Sequence, residues 1–285
     1  MHVAYVQTSP RLGMTSRNLE EAYALIERVH DADLVVLPEL FHSGYAVRDR
    51  DESVALSVPS DKLSEPLVMC LDACRAFAMN IVGGFLERDD SGRLFNSAWL
   101  IGPDGIFARY QKIHLFDMEK DIFEAGTELS PIVRIGPMKG TPGQGARVAM
   151  QVCFDWIFPE TWGKLAWGQG DDPRPTGAQI IAHPANLVIP QACPLSLRAR
   201  AMENRIFIVT AGRVGTDPGP DGELVFKAGS QIVAPDGTIL ASGPDESPGC
   251  DIVEIDPGLA DDKFVTPRNH VLRERFGSTD GGEPS

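Results

Sequence analysis

Leu34-Val35-Val36-Leu37-Pro38 is apolar without interruption and ends on Glu39. A strand with one wet face alternates apolar and polar residues. An unbroken run suits a strand covered on both faces, as in a largely parallel sheet. Similar runs recur along the chain: HVAYVQT (2–8), IVGGFLE (81–87), FNSAWLI (95–101), IFARYQK (106–112), RVAMQVC (147–153), QIIAHP (179–184), IFIVTAG (206–212) and DIVEID (251–256). Helical patterns fall between them. Leu19, Ala22, Ile26 and Val29 share one helical face, with Thr15 or Ser16 as the expected cap and Glu20 and Glu21 in the expected first turn. Helices are also predicted over 63–79, 158–167 and 194–204. This alternation of strands and helices defines the α/β class.

The segments AWLIGPDGIFARYQK (98–112) and SQIVAPDGTILASGP (230–244) each read as strand, Pro-Asp-Gly turn, strand. They suggest two related halves, each a sheet with helices. The simplest assembly is a four-layer αββα sandwich, with two mixed sheets face to face and helices outside. A chain of 285 residues suffices for it. One domain is expected over 1–276, with 277–285 as a disordered tail and GQGDDPRPTG (168–177) as a surface loop.

The chain carries a net charge of −14. It lacks the basic surface that nucleic acid or anionic membranes require. No basic-then-apolar leader opens it, and no apolar run approaches the ~18 residues of a membrane span. Five cysteines, an odd number, do not make a disulfide framework, so a cytoplasmic location is expected. Cys70 and Cys74 lie one helical turn apart, but no neighbouring His or Cys completes a metal set, and they read as core thiols.

Glu39, Lys112 and Cys153 each end a predicted strand, where α/β proteins gather functional side chains on rigid supports. Taken singly, each has a plainer reading: Cys153 as a core thiol, Glu39 as a solvated carboxylate, Lys112 as a surface ion pair with Asp117 or Glu119. Taken together they make chemical sense. A carboxylate raised in pKa by burial can accept a thiol proton, and a lysine ammonium can stabilise the charge that develops. The Lys112 ammonium and the Phe154 N–H are the expected oxyanion donors, such a donor being worth about 3 kcal/mol.

VVLPELFHSGY (35–45), ARYQKIHLFDMEKDIFEAG (108–126), VCFDWIFPE (152–160), IIAHPANLVIP (180–190) and RARAMENRIF (198–207), in this order, resemble the nitrilase superfamily of carbon–nitrogen hydrolases over about residues 2–270. The resemblance implies an αββα sandwich and a Glu-Lys-Cys triad of Glu39, Lys112 and Cys153. It implies a second glutamate that positions the lysine or substrate, matched best by Glu119 with Glu124 as the fallback. It also implies no cofactor, no metal, and self-association as a dimer or larger through the helices after the nucleophile and the C-terminal region. Tyr45 and Trp156 are candidate pocket walls or ordinary packing aromatics, and Asn186 is a candidate pocket amide. A Cys153 dyad with His114 or His183 is the rival arrangement; structural roles are the plainer reading of both histidines. Arg198 and Arg200 are expected in a network with Glu203. The 168–177 loop is longer than in similar proteins and reads as neutral surface. The expected activity is hydrolysis of a small amide through a cysteine thioester. Nitrile hydrolysis, carbamoyl-amine hydrolysis and a catalytically silent binding protein are the alternatives.

Overall fold

The computed structural model describes residues 1–136, 145–168, 176–189, 191–219 and 222–275. Two mixed sheets form its centre. The first runs Gly249–Glu254, His2–Gln7, Leu34–Val36, Asn80–Arg88, Leu94–Gly102, Gly105–Gln111, with Val58–Pro59 paired beside Asn80–Arg88. The second runs Ile239–Ser242, Gln231–Val233, Phe207–Ala211, Ile180–Pro184, Ala146–Met150, Val133–Ile135. The halves repeat one pattern. In each, three successive parallel strands are followed by two antiparallel ones joined through a Pro-Asp-Gly turn. The turn resemblance between 98–112 and 230–244 therefore marks equivalent places in the two sheets.

Period-2 alternation explains the layering. Val3, Tyr5, Leu34, Val36 and Val82 join one core with Val148, Met150, Ile180 and Ile208 of the second sheet. Ala4, Val6, Val35, Leu37 and Ile81 face the other way and pack on Leu19, Ala22 and Ile26 of the helix Thr15–Arg28 and on Leu67, Cys70 and Cys74 of the helix Glu65–Phe77. Both faces are covered, which is why the Leu34–Pro38 run needs no polar residue. Beyond the second sheet lie the helices Pro159–Trp167 and Ala192–Asn204. The αββα sandwich is thus the observed fold, and Cys70 and Cys74 are buried core thiols. No helix among the described residues is long and apolar enough to cross a membrane.

Several local expectations need correction. Thr15 and Ser16 do not cap the first helix: it begins at Thr15, its cap position is Met14, and no side chain accepts there. Asn18 ties down the preceding loop instead. Its Oδ1 accepts Arg11 N–H, and its Nδ2 donates to the Arg11 and His42 carbonyls. Glu20 and Glu21 accordingly sit beyond the first turn, and Glu21 accepts Ser9 N–H. The strand before the nucleophile ends at Met150, so Cys153 opens the short 3-10 turn Cys153–Ile157. The helix Arg50–Leu56 and the hairpin of Val214–Gly219 with Gly222–Lys227 are additional elements. Most of the 168–177 loop and the 277–285 tail lie outside the described residues.

Gly84 sets the path of the chain at Glu39. Its N–H donates to the Pro38 carbonyl, and a Cβ there would lie 2.4 Å from Glu39 Cα. Gly84→Ala is expected to destabilise the fold by about 1–3 kcal/mol, the usual cost of forcing extra volume into a packed core. Urea unfolding of the two proteins measures it, and an unchanged midpoint would show that the contact relaxes without cost.

Candidate active site

Lys112 follows the strand Gly105–Gln111 and is fully buried. Its N–H donates to the Asn96 carbonyl, and its own carbonyl accepts Gly126 N–H, so both flanking peptide planes are fixed. Its Nζ donates to Glu39 Oε1 at 2.8 Å and to Glu119 Oε1 at 2.8 Å. Asn96 Nδ2 donates to the same two oxygens, at 2.7 and 3.3 Å. Glu119 also accepts Tyr45 Oη–H at 2.8 Å and, on Oε2, the Phe116 N–H at 3.0 Å. Glu39, Lys112, Glu119 and Tyr45 are therefore one buried cluster. Glu124 lies apart from it, half-exposed and 3.9 Å from Arg93.

Burial works against the Lys112 ammonium, but the Glu119 and Glu39 carboxylates outweigh it and raise its pKa above the ordinary lysine value. Burial pushes the Glu39 carboxyl up, with Lys112 pulling the other way. Among the described residues its Oε2 has no hydrogen-bond partner. Burial likewise raises the Cys153 thiol, reinforced by Glu39 and opposed by Lys112. At neutral pH the sulfur is therefore a thiol in need of a base.

Cys153 has φ +41°, a left-handed conformation that non-glycine residues seldom adopt. The turn is held from several sides. Asp155 accepts Val152 N–H and Tyr110 Oη–H on Oδ2, and its Oδ1 lies 2.7 Å from His114 Nδ1. Trp162 Nε1 donates to the Asp155 carbonyl. Cys153 Sγ donates to the Asn186 carbonyl at 3.5 Å, while Asn186 Nδ2 donates to the Glu39 carbonyl at 2.9 Å. Neither histidine of the rival dyad bonds the sulfur. His114 pairs with Asp155 and stacks on Phe158 at 3.8 Å; His183 bonds the Cys153 backbone carbonyl.

A pocket of roughly 210 Å³ opens beside this cluster, lined by Tyr45, Phe116, Asp117, Met118, Val188, Leu224 and the neighbouring Gly219, Gly222 and Glu223. Its walls adjoin the residues around the sulfur: Phe116 packs edge-on against Phe154 at 5.0 Å, and Val188 follows Asn186 by two residues. Trp156 is instead buried in the hydrophobic core that includes Trp162, Leu197 and Ala201, and its carbonyl accepts Arg200 Nε–H. Arg200 pairs with Glu203 at 2.8 Å as expected, whereas Arg198 donates to the Gly237 carbonyl. Asn96 and Asp155 are site residues that no motif in the sequence singles out. Their signal was a polar residue inside the apolar run FNSAWLI and a carboxylate two places after Cys153. No group of three or more His, Cys, Asp or Glu among the described residues is placed to hold a metal.

Residues 2–262 match the family described as carbon–nitrogen hydrolase, and the chain belongs to that family. A nitrilase from Pyrococcus abyssi is 36% identical over 277 residues, covering 96% of each chain. An (R)-stereoselective amidase from Pseudomonas sp. is 32% identical over 251 residues, covering 86% of this chain and 82% of the relative. The amidase from Nesterenkonia sp. AN1 superposes with a TM-score of 0.72 at 25% identity, covering 92% of this chain and 96% of that one, in a structure described as showing Michael addition of acrylamide at the active-site cysteine. Relatives named amidase and nitrilase thus both align along nearly the whole chain.

Two buried histidines near the site make stability depend on pH. Burial lowers His42 to about 3 and His183 to about 4, from 6.5. Below pH 6.5 the unfolded chain binds protons at these rings that the folded chain refuses. Their contribution is therefore present above pH 6.5 and is lost as pH falls toward 4. The urea midpoint is expected to drop over that range. His42→Gln, which keeps an acceptor for the Leu86 N–H now bonded to His42 Nε2, is expected to flatten the slope; an equal slope in both proteins would contradict this.

Proposed function

We propose that this protein hydrolyses the C–N bond of a small amide through a cysteine thioester. The observation that carries the reading is the buried Lys112 ammonium bridging Glu39 and Glu119 at 2.8 Å each, with a protonated thiol alongside. Glu39, with one oxygen unengaged, takes the Cys153 proton as sulfur bonds to the substrate carbonyl carbon. The Lys112 ammonium and the Phe154 N–H receive the oxyanion. As the tetrahedral intermediate collapses, the C–N bond breaks and Glu39 returns the proton to the departing ammonia. Water, deprotonated by Glu39, then attacks the thioester and releases the acid and the free thiol. Glu119 holds the lysine in place, with Tyr45 and Asn96 completing its hydrogen bonds.

Among the described pocket residues the lining is mainly apolar, with two carboxylates and no basic side chain, which favours a neutral amide over one bearing a carboxylate. Nitrile hydrolysis is the second reading, supported by the relative named nitrilase. The same groups would form a thioimidate, and a second water would be consumed. Self-association is also part of the proposal. Ile157, Leu195 and Met202, in and after the nucleophile turn, are exposed apolar side chains that a second copy would cover.

An ammonia-release screen over small amides, nitriles and carbamoyl amines is expected to show turnover with neutral amides. Cys153→Ala should abolish it, and Glu39→Gln should lower kcat by about 10²–10⁴-fold, the usual worth of a general base. Because Glu39 must be ionised to act and burial raises its pKa, the acid limb of kcat/KM should lie above pH 4.5. Robust turnover by Cys153→Ala would overturn the reading.

A further inference from the structure

His183 Nε2 lies 3.0 Å from the Cys153 carbonyl oxygen, and Nδ1 of the same ring lies 3.3 Å from Thr210 Oγ1. A carbonyl oxygen has no proton to give, so the hydrogen of the first bond sits on Nε2. The ring is fully buried, and burial keeps it neutral at physiological pH. Nδ1 is therefore the bare nitrogen, and the Thr210 hydroxyl donates to it. Trp162 packs edge-on against the ring at 5.8 Å and limits its rotation. The tautomer and the direction of the Nε2–H bond are both fixed by the surrounding groups.

The peptide joining Cys153 to Phe154 is planar and trans. The Cys153 carbonyl and the Phe154 N–H are thus opposite ends of one rigid plate, and orienting one end orients the other. This plate follows a residue whose φ of +41° has to be maintained by its surroundings. We propose that His183, held by Thr210 as the Nε2–H tautomer, is a positioning residue that aims the Phe154 N–H at the oxyanion formed on the substrate. The inference rests on the hydrolase reading of the site. His183 acts through the peptide and has no bond to the sulfur, whose partner is the Asn186 carbonyl. Donation into the carbonyl also polarises the peptide and strengthens the N–H at its other end. Because the oxyanion exists only as the reaction proceeds, the effect belongs in kcat and leaves KM nearly unchanged.

Three variants test this: His183→Phe, which fills the space without a donor; His183→Gln, whose amide can restore one near Nε2; and Thr210→Val, which releases Nδ1. His183→Phe is expected to lower kcat about tenfold or more, part of the 10²–10³ that one oxyanion donor supplies, with KM within about threefold. His183→Gln should recover part of the loss, and Thr210→Val should show a smaller loss of the same kind. A second measurement needs no turnover. Butanal adds reversibly to Cys153: a C–S bond forms, the thiol proton passes to the aldehyde oxygen, and that oxygen occupies the oxyanion position. Its Kd should rise in the order wild type, Thr210→Val, His183→Phe. Nitrogen NMR at pH 7 should find Nε2 protonated and Nδ1 bare.

An unchanged kcat and butanal Kd in His183→Phe would overturn the inference, as would a loss expressed only in KM, a Gln variant no better than Phe, or a ring protonated on Nδ1. If His183→Phe does not fold, Thr210→Val and His183→Gln carry the same comparison. A wild-type protein that binds butanal with His183-dependent affinity yet releases no ammonia would sink the hydrolase reading and leave the positioning role standing.

Discussion

A lysine ammonium with no solvent exposure, shared between two carboxylates, is the interaction to which the rest of the site answers. Burying charge is expensive, and even a well-made ion pair recovers the desolvation cost only when the remaining hydrogen-bonding capacity is also met. Around Lys112 it is met almost completely. Asn96 spans both carboxylates, while Tyr45 and the Phe116 N–H take the free positions of Glu119. Among the described residues, Glu39 Oε2 and the side-chain oxygen of Asn96 are the exceptions. An unsatisfied buried carboxylate oxygen is costly for stability, and it is the atom a proton acceptor needs.

The strands supply these groups from two different sheets. Glu39, Asn96 and Lys112 come from the sheet built on His2–Gln7, Leu34–Val36 and their neighbours; Cys153, His183 and Asn186 come from the sheet built on Ala146–Met150 and Ile180–Pro184. The acid–base part and the sulfur part are therefore assembled only when the sheets pack face to face. The core they share, with Val3, Tyr5 and Val36 against Val148 and Ile180, determines how far Glu39 lies from Cys153. The buried Arg213–Asp217 pair extends this control to the pocket. Asp217 accepts the Tyr45 and Ala46 N–H groups, and Arg213 lies 4.2 Å over the Phe226 ring that packs against Tyr45.

Much of this was legible in the sequence, and the physical reason differs from part to part. Apolar runs and helical faces report burial, so the strands around Leu34–Pro38, 95–101 and 179–184 and the helices Glu65–Phe77 and Ala192–Asn204 could be located. Glu39, Lys112 and Cys153 each close an apolar run, but taken singly each has a plainer reading; the resemblance of the surrounding blocks to the nitrilase superfamily is what groups them. The helix Arg50–Leu56 was not, since only Ser53 of its seven residues is buried and its face carries almost no period. The paired strands Val214–Gly219 and Gly222–Lys227 are similarly short of buried residues. Asn96 and Asp155 depend on partners distant in the chain, Glu39 and Glu119 for one and Tyr110 and His114 for the other; no local pattern encodes such pairings. The capping expectation at Thr15 failed for the same reason, because the contact that replaced it runs from Asn18 to Arg11 and His42.

Asn186 joins the two halves most directly. Its side-chain amide donates to the Glu39 carbonyl, and its own carbonyl faces the Cys153 sulfur. One residue of the second sheet therefore fixes the backbone of the proposed base and the resting position of the proposed nucleophile. Both lie where the backbone is strained: Leu40, directly after Glu39, has φ +49°, and Cys153 has φ +41°. Strain of this kind persists only when the surroundings over-determine the conformation. Gly84 packed under Glu39, His183 on the Cys153 carbonyl and Asp155 on the Val152 N–H each supply part of that constraint. A change at Asn186 acts on both reacting groups at once, so its effect cannot be divided into a share for the base and a share for the sulfur.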